Sequence, residues 1–424
     1  MIFIYELICK QQSHEVCNAG FLKLYSTAYP KEKIFFFADS SHIHSVKNEL
    51  KNEIDSGGIQ NINFKKISFS NGNSLIDLLK KYFFLKKEKK KWANNETIFL
   101  SFDLITLKIL EFILKKNDEN YLKILLVAHG ILESISKNQP HSRDNFINPN
   151  SLFQRLILKI TQPKLLIKLI NQKFKNIFVK FTSVLVKIFF KNFDEIFWSF
   201  KFSYVKFVFL SEHIDLEIKK INKFREVNRV VIPMPVIIKN FPVNLPINYI
   251  NFGIVGYGFP ENQLKLFSLL DELKISKKFN LRLIGMQPDV FKDFKNINVL
   301  KPKNKIYLSR LEMEKAIRDI HFQIILYPKN SYKFSQSLSV FEAIRYQKPI
   351  LHIKNPCVSY YNNKNLPIGI ECNDVNQMSK KIQYLVENLE TTQNLYQSFI
   401  KNISVLRKRY SNKNLIKKLH NINW

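Results

Sequence analysis

"FQIILYPKNSYKFSQSLSVFEAIRYQKPIL", residues 322–351, is the stretch from which the fold of this chain is read. It opens on a short apolar run, passes through a polar turn containing Ser335, Gln336, Ser337 and Ser339, and then shows helical spacing as far as Lys348-Pro349. Proline stops the helix, and "PILHIK" begins a second strand. Strand, turn, helix and strand in that order predict one βαβ unit of a parallel sheet. The helix carries a single acidic residue, Glu342, in a chain with 66 Lys and Arg against 35 Asp and Glu. A polar turn that opens a helix offers backbone N–H groups without intrahelical partners and the positive end of the peptide dipoles, which suits a diphosphate. If Ser337 caps, Glu342 lies more than a turn further on, where a carboxylate accepts hydrogen bonds from the vicinal hydroxyls of a ribose.

The same alternation continues on both sides. "INFGIVGYG" and "FNLRLIG" read as strands, and "ENQLKLFSLLDEL", "SRLEMEKAIRDI" and "NQMSKKIQYLVENL" as helices. Nearer the start, "MIFIYEL", "KIFFFAD", "NINFKKISF", "ETIFLSFD" and "YLKILLVAHG" are strand-like runs separated by segments of helical period, and "YVKFVFLSEH" adds another. The Pro-rich "VVIPMPVIIKNFPVNLP", residues 230–246, reads as an extended linker. The prediction is an α/β chain of two Rossmann-like, doubly wound domains, residues 1–235 and 236–424, facing a cleft at their strand C-termini. Residues 151–200 break the rhythm: Leu165, Leu169, Phe174, Phe181 and Ile188 share one helical stripe while Lys168, Lys175, Lys180 and Lys187 lie largely elsewhere. Such a basic amphipathic segment suits either packing on its own domain or contact with an anionic membrane surface.

An apolar fraction of 46% over 424 residues is enough for two cores. The net charge of +31 ordinarily points to a polyanion. Here Lys, Asn, Ile and Phe are high in every segment, as an AT-rich coding bias would make them, so nucleic acid is not the expected partner. Cys9, Cys17, Cys357 and Cys372 form no CxxC pair and no Cys/His cluster, so neither zinc nor a disulfide framework is indicated and a cytoplasmic home is the simplest. "MIFIYELICK" lacks a basic lead and includes Glu6, which reads as a first strand and not as a signal peptide. No uncharged apolar run is long enough to span a bilayer, which leaves open only peripheral contact with the inner face of the cytoplasmic membrane.

Residues 322–351 resemble the C-terminal domain of GT-B glycosyltransferases, where a strand, a polar loop, a glutamate-bearing helix and a "G/Q-K-P-I/V" strand build the nucleotide-sugar site. "FVFLSEH", "FGIVGYG" and "YLSRLEMEKAIRDIHFQIILYP" resemble the corresponding neighbouring elements. The resemblance implies that Ser335, Gln336, Ser337 and Ser339 meet the donor diphosphate, that Glu342 binds its ribose, and that Gly256 and Gly258 lie on the donor side. It implies a glycosyltransferase that moves a sugar from a nucleotide-sugar donor, with no further cofactor, to a glycan or lipid-linked glycan acceptor of the bacterial capsule or lipopolysaccharide type. Retaining members often carry a second glutamate eight positions before the ribose-binding one, where this chain has Phe334, and a basic residue after the glycine loop, where it has Phe259-Pro260-Glu261. Retention and inversion both stay open.

Transfer requires a stabilised leaving diphosphate and, for inversion, a base for the acceptor hydroxyl. No DxD motif occurs, so the expectation is metal-independent transfer. His14 and Glu15 follow the first predicted strand, and His129 follows the fifth, with Glu133 four positions on. Neutral histidine accepts a proton near physiological pH. His14 is the first choice of base, His129 the second and Asp103 the third. Two other readings are carried. Gly253, Gly256 and Gly258 would serve an NAD(P)-dependent oxidoreductase, although their spacing is not GxGxxG. A non-catalytic basic protein held at membrane or nucleic acid is the other, recognisable by steep salt dependence.

Overall fold

The computed structural model describes residues 1–69, 75–114, 121–135, 197, 200, 202–221, 226–256, 259–285, 294–300 and 308–424. Gly258 and the basic segment 151–200, apart from Phe197 and Phe200, lie outside the described residues.

Two parallel sheets form the frame. The first contains β1 (Ile2–Glu6), β2 (Ile34–Ala38), β3 (Ile62–Lys66), β4 (Glu96–Ser101), β5 (Lys123–Val127), β6 (Val205–Phe209) and β7 (Arg229–Val231) in the order β3-β2-β1-β4-β5-β6-β7. The second contains β8 (Ile250–Gly256), β9 (Phe279–Gly285), β10 (Asn298–Leu300), β11 (Phe322–Ile325), β12 (Ile350–Ile353) and β13 (Gly369–Cys372) in the order β10-β9-β8-β11-β12-β13. Every neighbouring pair is parallel. Strands covered on both faces need near-continuous apolar sequence, and β1, "IFIYE", is buried at every position. The strand order reverses between β1 and β4 and again between β8 and β11, which makes two topological switch points.

The Pro-rich linker begins differently from its sequence reading. Arg229–Val231 pairs with β6 as an edge strand before the chain becomes irregular. β7 stops short of Pro233 and Pro235, which lack the N–H a ladder needs. The edge strands β10 and β13 gave no signal in the sequence, because their partly exposed residues leave no continuous apolar run.

The two halves share one apolar cluster. Ile4, Leu24, Met234 and Val236 belong to the same core as Val340, Phe341, Ile403 and Tyr410. Gly20 makes the seam close, since a Cβ there would lie 2.0 Å from the Pro235 carbonyl oxygen. At the far end, the helix Asn412–His420 returns to the helix Glu15–Ala28, with His420 and Tyr29 ring centroids 5.3 Å apart. Leu415 and Leu419 are buried, and each contributes about 1.5–3 kcal/mol by leaving water. No described helix is long and apolar enough to cross a membrane.

Candidate functional site

The N-terminal half of the site begins where β1 ends. Glu6, buried, accepts hydrogen bonds from Ile8 N (2.9 Å), Cys9 N (2.9 Å), Asn18 Nδ2 (3.0 Å) and the Ser101 hydroxyl. Asn18 Nδ2 also lies 2.8 Å from His42 Nε2, and His42 Nδ1 lies 2.9 Å from the Gln11 carbonyl oxygen. The pattern assigns the proton to His42 Nδ1, which donates to the carbonyl, while Nε2 accepts from the amide. These bonds brace the loop that delivers His14 to the start of the helix Glu15–Ala28. His14 stands there at φ 60°, ψ 16°, a left-handed conformation uncommon outside glycine and enriched at functional sites.

The His14 side chain does not cap its helix. It meets His129, which follows β5, with ring centroids 3.9 Å apart and planes perpendicular. The two histidines singled out in the sequence are therefore neighbours at the same sheet edge. Burial lowers the pKa of His129 well below the ordinary value, and His14 lowers it further. Burial also lowers the pKa of His14; the Glu6 carboxylate raises it in part. Both rings are neutral near pH 7, and the buried His129 Nδ1 has no hydrogen-bond partner among the described residues. Asp103, the third candidate, is a helix cap: it accepts from Thr106 N (2.6 Å) and pairs with Lys81 (3.2 Å). Burial raises its carboxyl, but Lys81 and the Thr106 hydrogen bonds outweigh that and hold it below its usual value.

Across the junction, β8 ends at Gly256 with φ +88°, beside the first turn of the helix Leu338–Arg345. Ser339 Oγ donates to the Val255 carbonyl at 3.2 Å, and a Cβ on Gly256 would come within 3.7 Å of that hydroxyl. Gly256 and Ser339 thus meet. The other turn residues use their side chains on protein partners. Ser337 is the N-cap residue but makes no capping bond; its hydroxyl shares a 2.6 Å bond with Tyr327. Gln336 Oε1 accepts from the Tyr361 hydroxyl at 2.8 Å, and Ser335 Oγ donates to Glu133 Oε1 at 2.8 Å. Phe334, where a second glutamate would stand, gives its backbone N–H to that same oxygen at 2.8 Å. For an anion the turn therefore offers its backbone more than its side chains.

Glu342, the carboxylate that the sequence offers for a donor ribose, is 1% exposed and engaged with protein partners. Arg310 Nη2 donates to both of its oxygens, at 2.7 and 2.9 Å. Arg310 Nε lies 3.3 Å from Glu49 Oε2, and Glu49 accepts a hydrogen bond from the fully buried Arg345. Lys239 pairs with Glu314, which also accepts from the Tyr346 hydroxyl at 2.9 Å. Sequence reading overlooked Arg310 and Glu49: helical spacing marks which face is apolar, and says nothing of which distant charges will meet. The two sides of the site touch through this network. Glu15, next to His14, has its pKa raised to about 7 by burial against the pull of Arg310, with Glu342 and Glu49 adding to the rise. Among the described residues, no group of three or more His, Cys, Asp or Glu could hold a metal ion.

No family model matches the chain, and no curated protein does. Solved structures do. A glycosyltransferase from Rickettsia africae aligns with TM-score 0.60 at 13% identity, over 99% of this chain and 97% of its own. The lipopolysaccharide outer core galactosyltransferase WaaB, in its apo form, aligns with TM-score 0.57 at 12% identity, over 99% and 98%. HepE of Anabaena, in complex with UDP, aligns with TM-score 0.53 at 11% identity, over 99% and 98%. At such identity the likeness carries the fold, and the chain is a two-sheet α/β protein of the GT-B glycosyltransferase architecture.

Proposed function

We propose that this protein is a glycosyltransferase that moves a sugar from a nucleoside-diphosphate donor to a growing surface glycan. The observation that carries the reading is the meeting of two switch points. The neutral His14–His129 pair stands at the ends of β1 and β5, and Arg310 bridges Glu49 of that same half to Glu342 on the helix that starts beside Gly256. In open α/β sheets ligands bind at such strand ends.

In this reading the acceptor hydroxyl oxygen attacks the anomeric carbon as the bond from that carbon to the diphosphate breaks. The hydroxyl proton passes to a neutral imidazole, His14 first and His129 second, and the nucleoside diphosphate leaves with the electron pair. The first-turn N–H groups of Leu338–Arg345, which the N-cap side chain leaves uncapped, and the helix dipole stabilise that leaving group. Glu342 accepts a hydrogen bond from a hydroxyl of the donor ribose while Arg310 remains its countercharge. Transfer is metal-independent, the dipole and Arg310 standing in for a cation. UDP is the first donor nucleotide to try, because HepE was solved with it, and a lipopolysaccharide-type glycan is the first acceptor to try, because WaaB is a lipopolysaccharide outer core galactosyltransferase. An acceptor of that kind would be met at the inner face of the cytoplasmic membrane.

The test is thermal stabilisation of the purified protein by UDP, GDP, CMP, dTDP, NAD and NADP, with and without EDTA. The expected result is a rise with one nucleoside diphosphate, unchanged by EDTA and weakened in Glu342→Gln. A rise with NAD or NADP alone would replace this reading with the oxidoreductase.

A further inference from the structure

We infer that Glu133 is a positioning residue for this reaction: its carboxylate ties the turn that opens Leu338–Arg345 to the strand end that carries His129. The inference rests on the transferase reading of the site. Glu133 stands in the short 3-10 helix Ile131–Ile135, four residues after His129. A single oxygen, Oε1, accepts both the Phe334 N–H and the Ser335 hydroxyl at 2.8 Å, across more than 200 residues of chain. Both are charge-assisted bonds, and the half-buried setting spares them the screening that weakens surface pairs.

Neutral contacts seat the same turn on the end of β6. The Tyr361 hydroxyl lies 2.9 Å from Ser211 Oγ and 2.8 Å from Gln336 Oε1, and His213 Nε2 lies 3.3 Å from the Tyr332 carbonyl oxygen. Burial lowers the pKa of His213 to about 4, so its contact is that of a neutral ring. Without Glu133 these contacts still hold the turn near β6. What is lost is the link to β5, where His129 begins its loop. That link matters because a reacting oxygen displaced by about 1 Å costs on the order of 100-fold in rate.

The decisive comparison is Glu133→Ala against Glu133→Gln, since glutamine keeps a carbonyl oxygen that accepts the same two donors. Release of nucleoside diphosphate is followed with sugar donors of the nucleotide that the stabilisation panel selects. Glu133→Ala should lower kcat about 10- to 100-fold while the Kd for the nucleotide stays within about twofold, and Glu133→Gln should stay within about threefold of wild type. In the absence of any ligand, hydrogen exchange at the Phe334 amide should quicken in Glu133→Ala and not in Glu133→Gln. Wild-type kcat in Glu133→Ala, or equal losses in both variants, overturns the positioning role. A wild type that turns over no nucleotide sugar defeats the transferase reading by itself. Unchanged Phe334 exchange in Glu133→Ala defeats the contact whatever the activity.

Discussion

The two sides of the junction bury their polar groups in opposite ways. On the N-terminal side one carboxylate, Glu6, is surrounded by neutral donors from Ile8, Cys9, Asn18 and Ser101, and the chain of bonds runs on through His42 to a backbone carbonyl. On the C-terminal side Glu342, Glu49 and Glu314 face Arg310, Arg345 and Lys239. The first arrangement needs no countercharge and leaves two neutral histidines beside it, ready to take a proton. The second is stable only while each charge keeps its opposite, and it ties the halves together, because Glu49 belongs to the helix Ser40–Glu49 of the first sheet. A carboxylate at a helix C-terminus is itself disfavoured by the dipole, which makes Glu49 depend on its arginines.

Removing one ion from the charged seam has the largest effect on stability. Glu49→Ala takes from Arg345, fully buried and with Nε and Nη1 already lacking hydrogen-bond partners among the described residues, its hydrogen-bonded carboxylate, and leaves only the longer 3.7 Å pairing with Glu314. Truncating one partner of a buried pair costs about 3–5 kcal/mol, whereas replacing both by apolar residues of similar volume is often close to neutral. Urea unfolding should therefore show a large loss in Glu49→Ala and a recovery of most of it in Glu49→Met combined with Arg345→Met. A loss below about 1 kcal/mol in the single variant would mean that the charges are not what holds this seam.

On the neutral side the expected change lies in rate. His14→Ala should lower turnover by about 100-fold or more while nucleotide affinity is kept, as removal of a general base does. If His129→Ala carries the loss and His14→Ala does not, the base is the other ring. Because burial holds both histidines below their ordinary pKa, the acid limb of the turnover profile should fall below pH 6.5. Stability follows the same sign. The unfolded chain takes up these protons near pH 6.5 and the folded chain resists them, so their contribution is complete above that pH and is lost as pH falls.

How much of this was legible beforehand depended on the range of each interaction. β1, β2, β4, β5, β6, β8, β9, β11 and β12 were readable because burial on both faces writes a local apolar run, β3 because Ile62 and Phe64 alternate with polar residues, and the serine turn because its signal is also local. The meeting of His14 with His129 had a topological basis, since both follow strands of one parallel sheet. The surroundings of Glu342 had none. Arg310 lies 32 positions away and Glu49 comes from the other half, and no pattern along the chain records that three carboxylates and three cations will share one seam. The same holds for Glu133, whose partners are fixed only by how the halves dock.

Glu15 sits between the two kinds of burial, so it gives the smallest effect and the finest discrimination. It follows His14 in sequence, and its carboxyl senses Arg310, Glu342 and Glu49. With a folded pKa of about 7 against roughly 4.3 when unfolded, the folded chain holds a proton that the unfolded chain has given up. Its contribution to stability is then complete below the unfolded value and declines as pH rises through 7, where the ionised group stands against two other carboxylates. Glu15→Gln fixes the neutral form. It should change the melting temperature little at pH 5 and raise it by a few degrees at pH 8, a gain on the order of 1–2 kcal/mol. Equal shifts at both pH values would place Glu15 with the neutral network of Glu6. A loss of stability at pH 8 would place it inside the ionic one, as a partner that Arg310 needs charged.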